Sequence, residues 1–99
     1  MGKVQWTDRS VKDLHSIFDF INQDSPFYAE RFVKSLIQST IKLESMPNIG
    51  RDVPELPNLK LREIIYKNFR IVYRIEKNQD IIIIAVIHSA RDFISTMYE

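Results

Sequence analysis

LKLREIIYKNFRIVYRIEKNQDIIIIAVI, residues 59–87, is the stretch that decides the fold. It holds three runs rich in β-branched and aromatic residues: Leu59 to Tyr66, Phe69 to Glu76, and Ile81 to Ile87. Lys67-Asn68 separates the first two, and Lys77 to Asp80 the last two. Residues of this kind suit a pleated, half-buried surface, and short polar breaks between them are turn signals. The stretch therefore predicts three antiparallel strands joined by hairpins. With Lys67-Asn68 as a two-residue turn, Ile65 falls opposite Arg70 and Glu63 opposite Val72. One face then carries Arg62, Ile64, Tyr66, Phe69, Ile71, Tyr73 and Ile75, and is almost wholly apolar. The other carries Glu63 diagonally between Arg70 and Arg74. The run Ile81 to Ile87 has no polar alternation, as expected of a central strand covered on both faces.

Upstream, the apolar period changes from two to between three and four. Lys3 to Trp6 reads as a short strand, and Thr7-Asp8 as a helix N-cap with an acidic first turn. Val11, Leu14, Ile17, Phe18 and Ile21 then line one side of a helix. After a turn at Asn22 to Ser25, Ser25-Pro26 opens a second helix, since proline at the first helical position loses no hydrogen bond. Ala29, Phe32, Val33, Leu36, Thr40, Ile41 and Leu43 carry that period to about Glu44, and Met46-Pro47 ends it. The order is βααβββ, an α+β fold in which a helical hairpin packs on one face of an antiparallel sheet. Residues 1–99 form a single domain, with no internal repeat or linker. Asn48 to Asn58, with two of the four prolines, is expected to be an ordered surface loop. In Ser89 to Glu99, the spacing of Phe93, Ile94, Met97 and Tyr98 fits a short helix, against the alternative of a frayed end.

Composition narrows the function classes. With 44% hydrophobic and 27% charged residues, the chain is folded rather than disordered. It contains no cysteine and two histidines. That leaves no disulfide framework and no recognisable metal site, so neither metal nor cofactor is expected. The opening residues lack a signal-peptide core, and the longest apolar run is far too short to cross a bilayer. A cytoplasmic protein with no membrane association is expected. Net charge is only +1, but the charges are uneven. Lys60, Arg62, Lys67, Arg70 and Arg74 stand against Glu63 alone between residues 60 and 74, which gives the second half a basic surface.

Several motifs occur in a fixed order: Pro47-x-x-Gly50-Arg51, Leu61-Arg62-Glu63, Phe69-Arg70-Ile71-Val72-Tyr73-Arg74-Ile75 and Val86-Ile87-His88-x-x-Arg91. In this order and over nearly the whole chain, the sequence resembles the RelE/ParE toxin superfamily. The resemblance implies a toxin of a type II toxin–antitoxin system, associated with growth inhibition and plasmid stabilisation. Its expected partner is a cognate antitoxin that wraps it in a toxin–antitoxin hetero-oligomer. The superfamily divides on chemistry: RelE-like and YoeB-like members cut mRNA on the ribosome, and ParE-like members inhibit DNA gyrase.

The resemblance also nominates residues. If the chain is an endoribonuclease, Glu55 would take the proton from a ribose 2′-OH, Arg70 would hold the phosphate and His88 would protonate the leaving 5′-oxygen. His88 could serve only if the last hairpin has an odd-length connection or a bulge that brings it onto the arginine face; an even connection pairs Arg70 with Ile87 and turns His88 away. Arg70 could instead be part of a surface ion-pair group. Arg51, Lys60, Arg62, Arg74 and Arg91 are the candidates for contact with a partner or nucleic acid, although Arg62 falls on the apolar face and is expected to snorkel past the sheet edge. The Gly-Arg-x-Val-Pro-Glu loop and the His-x-x-Arg ending lean toward the ParE-like branch. The shorter stretch from Glu55 to Arg70 and the absence of dense lysine clusters lean the same way. A third alternative is a family member that keeps the fold and antitoxin binding but has lost toxicity.

Overall fold

Two hydroxyl caps set the helical half of the molecule. In the computed structural model, which describes residues 2–99, Thr7 Oγ1 accepts the Ser10 N–H at 3.1 Å and starts α1 (Asp8–Asn22). Ser25 Oγ accepts the Tyr28 N–H at 3.3 Å and starts α2 (Pro26–Ser39), with Pro26 in the first turn. Each cap supplies an acceptor to an N–H that the helix itself leaves unpaired. The two helices form a hairpin whose inner side buries Leu14, Ile17, Ala29, Phe32 and Leu36. The period of α2 stops being α-helical at Ser39, and Ile41–Glu44 forms a tighter 3-10 turn.

The strands are β1 (Val4–Trp6), β2 (Arg51–Asp52), β3 (Arg62–Tyr66), β4 (Phe69–Ile75) and β5 (Ile81–His88), in the spatial order β1-β5-β4-β3-β2. The β3–β4 register is the expected one, with Ile65 opposite Arg70 and Glu63 opposite Val72. β5 is internal, between β4 and β1. Two features extend the sequence expectation. β1 runs parallel to β5, so the sheet is mixed. Part of the expected loop is a two-residue edge strand, in which Arg51 lies opposite Glu63. Gly50 lets the chain approach the sheet there: a Cβ on it would sit 2.6 Å from both the Tyr73 hydroxyl and the Glu63 carbonyl oxygen. Its N–H donates to the Tyr73 hydroxyl at 3.1 Å, and that hydroxyl donates to the Pro47 carbonyl at 2.6 Å.

The β4–β5 hairpin decides which face each later residue presents. Ile75 pairs with Ile81 across a connection from Glu76 to Asp80, and Tyr73 pairs with Ile83. Then Val72 pairs with Ala85, leaving Ile84 as the extra residue of a bulge. The odd connection alone would place His88 on the arginine face. The bulge shifts the register by one and reverses that, so Arg70 pairs with Ile87 and His88 with Phe69. Either device alone was expected to turn His88 toward Arg70; both are present and they cancel. Asp13 on α1 reaches this place, and its Oδ2 accepts the Val86 N–H at 2.8 Å just past the bulge.

By alternation β5 feeds two cores, and the bulge sets which residues beyond Ile83 enter each. Ile81, Ile83 and Val86 join Ile71, Tyr73, Ile64 and the helical hairpin on one face. Ala85 and Ile87 join Val72, Val53, Leu61 and Phe93 on the other. The second core answers what covers the other face of the central strand. The segment from Val53 to Leu61 and the short helix α3 (Phe93–Met97) lie over it. The tail is therefore packed, not frayed. Asp92 caps α3 by accepting the Ser95 N–H at 3.0 Å, and Arg9 of α1 donates to the Thr96 and Met97 carbonyls at 2.7 and 2.9 Å. Burying each large aliphatic side chain in these cores contributes about 1.5–3 kcal/mol before entropy is counted.

Candidate functional site

Strand alternation delivers Glu63 and Arg70 to one face, and the two-residue strand β2 delivers Arg51 beside them. Glu63 is fully buried, and its two oxygens are shared: Oε2 accepts from Arg51 Nε at 2.6 Å and Oε1 from Arg70 Nε at 2.7 Å. Arg70 then extends to Glu55 with both terminal nitrogens, at 2.7 and 2.8 Å, in a bidentate pair. The Phe93 ring of α3 lies over the guanidinium, 4.2 Å from its carbon. The Arg70 side chain is only 11% exposed.

The structure thus brings Glu55 and Arg70 together but roofs the arginine, while Glu55 stays exposed at the rim. The arginine face was expected to be open at Arg70; Phe93 and the Val53–Leu61 segment cover it because Val72, Ala85 and Ile87 present an apolar strip beside it. Glu63 was expected between Arg70 and Arg74. Arg51 takes the second place, since β2 puts it directly opposite Glu63, and Arg74 pairs with Glu76 at 2.9 Å. The hydrogen bonds from Arg70, above all other effects, hold the Glu55 carboxyl below the usual glutamate value. Those from Glu55 hold Arg70 protonated even more firmly than usual. A carboxylate stabilised in this way is a weak base, and a guanidinium with Nε and both terminal nitrogens engaged has little left for a phosphate.

His88 lies on the opposite, helix-covered face, edge-on to Phe69 with ring centroids 5.1 Å apart. Its Nδ1 accepts the Ala90 N–H at 3.0 Å. Arg62 is on that side too, donating to the Gly50 carbonyl at 2.7 Å and lying 3.9 Å from Asp52. It fastens the turn before β2 instead of facing solvent. Lys60 is exposed, with φ at 55°. Arg51, Arg74 and Arg91 also remain accessible, Arg91 reaching Glu99 at 3.4 Å.

Sequence reasoning missed Arg9 and Asp13, which bond to each other at 3.1 Å and tie α1 to both the bulge and α3. In sequence they are an ordinary i,i+4 pair on a helix surface. It also left Phe93 without a role, and nothing local marks it as the roof over Arg70. Among the described residues no cluster of potential metal ligands occurs, and no helix is long and apolar enough to cross a membrane.

A family model for the ParE toxin of type II toxin–antitoxin systems, parDE, matches residues 4–93. Toxin RelE2 of Caulobacter vibrioides is 37% identical over 65 residues, which is 66% of this chain and 69% of that protein. Solved structures share the fold, two toxin–antitoxin systems among them. The chromosomal ParDE toxin–antitoxin system of P. aeruginosa superposes with a TM-score of 0.74 at 19% identity, over 89% of this chain and 96% of that one. The RelBE2 toxin–antitoxin complex of Mycobacterium tuberculosis gives 0.65 at 19% identity, over 88% and 96%. With a bulged five-stranded sheet, a helical hairpin on one face and a family match over nearly its whole length, this chain belongs to the family of ParE toxins of type II toxin–antitoxin systems.

Proposed function

We propose that this toxin acts in the ParE-like manner, by binding DNA gyrase and so arresting growth, and that it is neutralised by a cognate antitoxin in a hetero-oligomer. The observation that carries the reading is the separation of His88 from Glu55 and Arg70 by the thickness of the sheet. Acid–base cleavage of RNA needs its proton donor, base and phosphate holder around one phosphodiester. Here His88 faces the helices, and the other two neutralise each other in an ion pair whose arginine lies under Phe93. Binding needs no such convergence. Of the cations that the sequence nominated, Arg51, Lys60, Arg74 and Arg91 are accessible for target contact. The toxin would work in the cytoplasm, where its target lies, and a plasmid-stabilising role follows if its genes travel on a plasmid.

Purified toxin freed from its antitoxin is expected to inhibit gyrase supercoiling, and primer extension on translated mRNA is expected to show no new ends. Untouched supercoiling would overturn the reading. Ribosome-dependent cleavage has one observation in its favour, the juxtaposition of Glu55 and Arg70. It predicts new mRNA ends that disappear in an Arg70→Ala, His88→Gln double variant. If expression without the antitoxin leaves growth unaffected, the chain is a family member that has lost toxicity.

A further inference from the structure

The far end of the helical hairpin and the β3–β4 turn enclose a groove of about 500 Å³ on the helix side of the sheet. Phe20 closes α1 and Tyr28 opens α2, and both are unusually bare for rings, at 72% and 52% exposure. Phe69 and the His88 imidazole form the groove's sheet side, and Lys67 and Arg91 stand at its rim. No residue lining it is acidic. Because His88 Nδ1 accepts the Ala90 N–H, its ring proton is on Nε2, available as a donor. Lys67 is held at φ 53° in the turn, and the neighbouring Asn68 adds an amide to the lining.

Aromatic rings outnumber aliphatic side chains among these residues, which distinguishes the groove from the Leu- and Ile-lined trough that receives a peptide helix. Rings flanked by cations, with an amide and no carboxylate, match the chemistry of a base stacked on π faces and joined to a phosphate. A duplex keeps its bases stacked inside and cannot offer one. We propose that this groove binds an unpaired nucleotide of single-stranded nucleic acid, with the base against Phe20 and Tyr28 and the phosphate toward Lys67 and Arg91. The groove lies across the sheet from Arg70 and shares only Arg91 with the cations named for gyrase contact, so Phe20→Ala and Tyr28→Ala test it apart from that reading.

The test is fluorescence anisotropy with labelled ten-nucleotide dT and rU strands, a duplex DNA of equal length and an unlabelled acidic peptide as competitor, at low salt. Binding of either single strand in preference to the duplex is expected, and the two strands together tell DNA from RNA. Phe20→Ala and Tyr28→Ala should each weaken it about tenfold, as loss of one stacking face does. Lys67→Asn, which tolerates the turn geometry, and Arg91→Gln should flatten the salt dependence. Lys12→Gln, outside the groove, is expected to bind as the parent does. Phe20 is mostly in solvent, so its variant should keep the parental circular dichroism spectrum. No binding of either strand, equal binding of the duplex, indifference to Phe20→Ala and Tyr28→Ala, or displacement by the acidic peptide at matched charge would each overturn the proposal.

Discussion

The two faces of the sheet handle their polar groups in opposite ways. On the face under α3, Glu55, Glu63, Arg51 and Arg70 consume one another's charge, and Phe93 covers Arg70 while Arg51 and Glu55 stay at the rim. On the helix side, His88, Lys67 and Arg91 line an open groove with aromatic walls. The face on which the resemblance leads one to seek chemistry is the sealed one, and the face expected to be plain core ends in an accessible cleft. A residue's membership of a motif therefore says little until strand register has assigned its face, and here one extra residue, Ile84, makes that assignment.

The comparison breaks most severely at Glu63. Replacing it with Ala leaves Arg70, nearly buried, with Glu55 as its only carboxylate, and frees Arg51 altogether. Removing one partner of a buried ion pair costs about 3–5 kcal/mol, and the surviving Glu55 bond should hold the loss near the lower bound. Urea denaturation of Glu63→Ala measures it. A change below ~1 kcal/mol would mean that the cluster is far more hydrated than its burial implies.

The bulge is the next place to press. Asp13→Ala removes the acceptor of the Val86 N–H and a partner of Arg9, and loss of such a partner from a partly buried group costs about 1–3 kcal/mol. Asp13→Asn keeps an acceptor and should recover part of that. The sharper readout is the contact between His88 and Phe69, visible as a proton–proton NOE in the parent. If it survives in Asp13→Ala while stability falls, the bulge is held by packing on both faces, and Asp13 only adds to it.

These positions also show where sequence reasoning reaches its limit. The β3–β4 register followed from Lys67-Asn68, because a two-residue turn leaves one pairing and the apolar alternation confirms it. The helices followed from Thr7, Ser25 and Pro26, whose local chemistry fixes where each begins. The β4–β5 register had no such marker. Ile81 to Ile84 are identical side chains, so sliding by one changes nothing within that run, and Asp13, whose carboxylate meets the strand just past the bulge, lies 73 residues away in sequence. The roof over Arg70 was hidden for the same reason: Phe93 gains its role from Val72 and Ala85, not from its neighbours in the tail. β2 was read as loop because two residues carry no period.

α3 offers a milder test of the sealed face. Asp92→Ala removes the cap of a short helix, at a cost of about 1 kcal/mol, with the hydrogen exchange of residues 93–97 rising first. Arg9, which grips the other end, should keep the helix from leaving. Arg9→Ala combined with Asp92→Ala should then uncover Arg70, detectable as loss of the ring-current shift that Phe93 imposes on its Hδ protons.

The smallest effect is one of pH, and its sign separates the two faces cleanly. Glu55 has its pKa lowered in the folded state by the Arg70 hydrogen bonds, below the ordinary value of 4.5. A group that binds its proton less tightly when folded stabilises the fold fully above its unfolded pKa. That stabilisation is lost as pH falls through the lower, folded value. Denaturation midpoints of the parent should therefore fall off below about pH 4.5 more steeply than those of Glu55→Gln, which has no proton to take up at that position. Above that pH the two should differ by a small constant, since the Glu55 side chain is partly in solvent. If the Gln variant shows the same acid slope, Glu55 is not holding Arg70 in solution, and the sealed face is open at its rim. A guanidinium freed there would be available to a phosphate, and the contrast with the groove on the helix side would lose its basis.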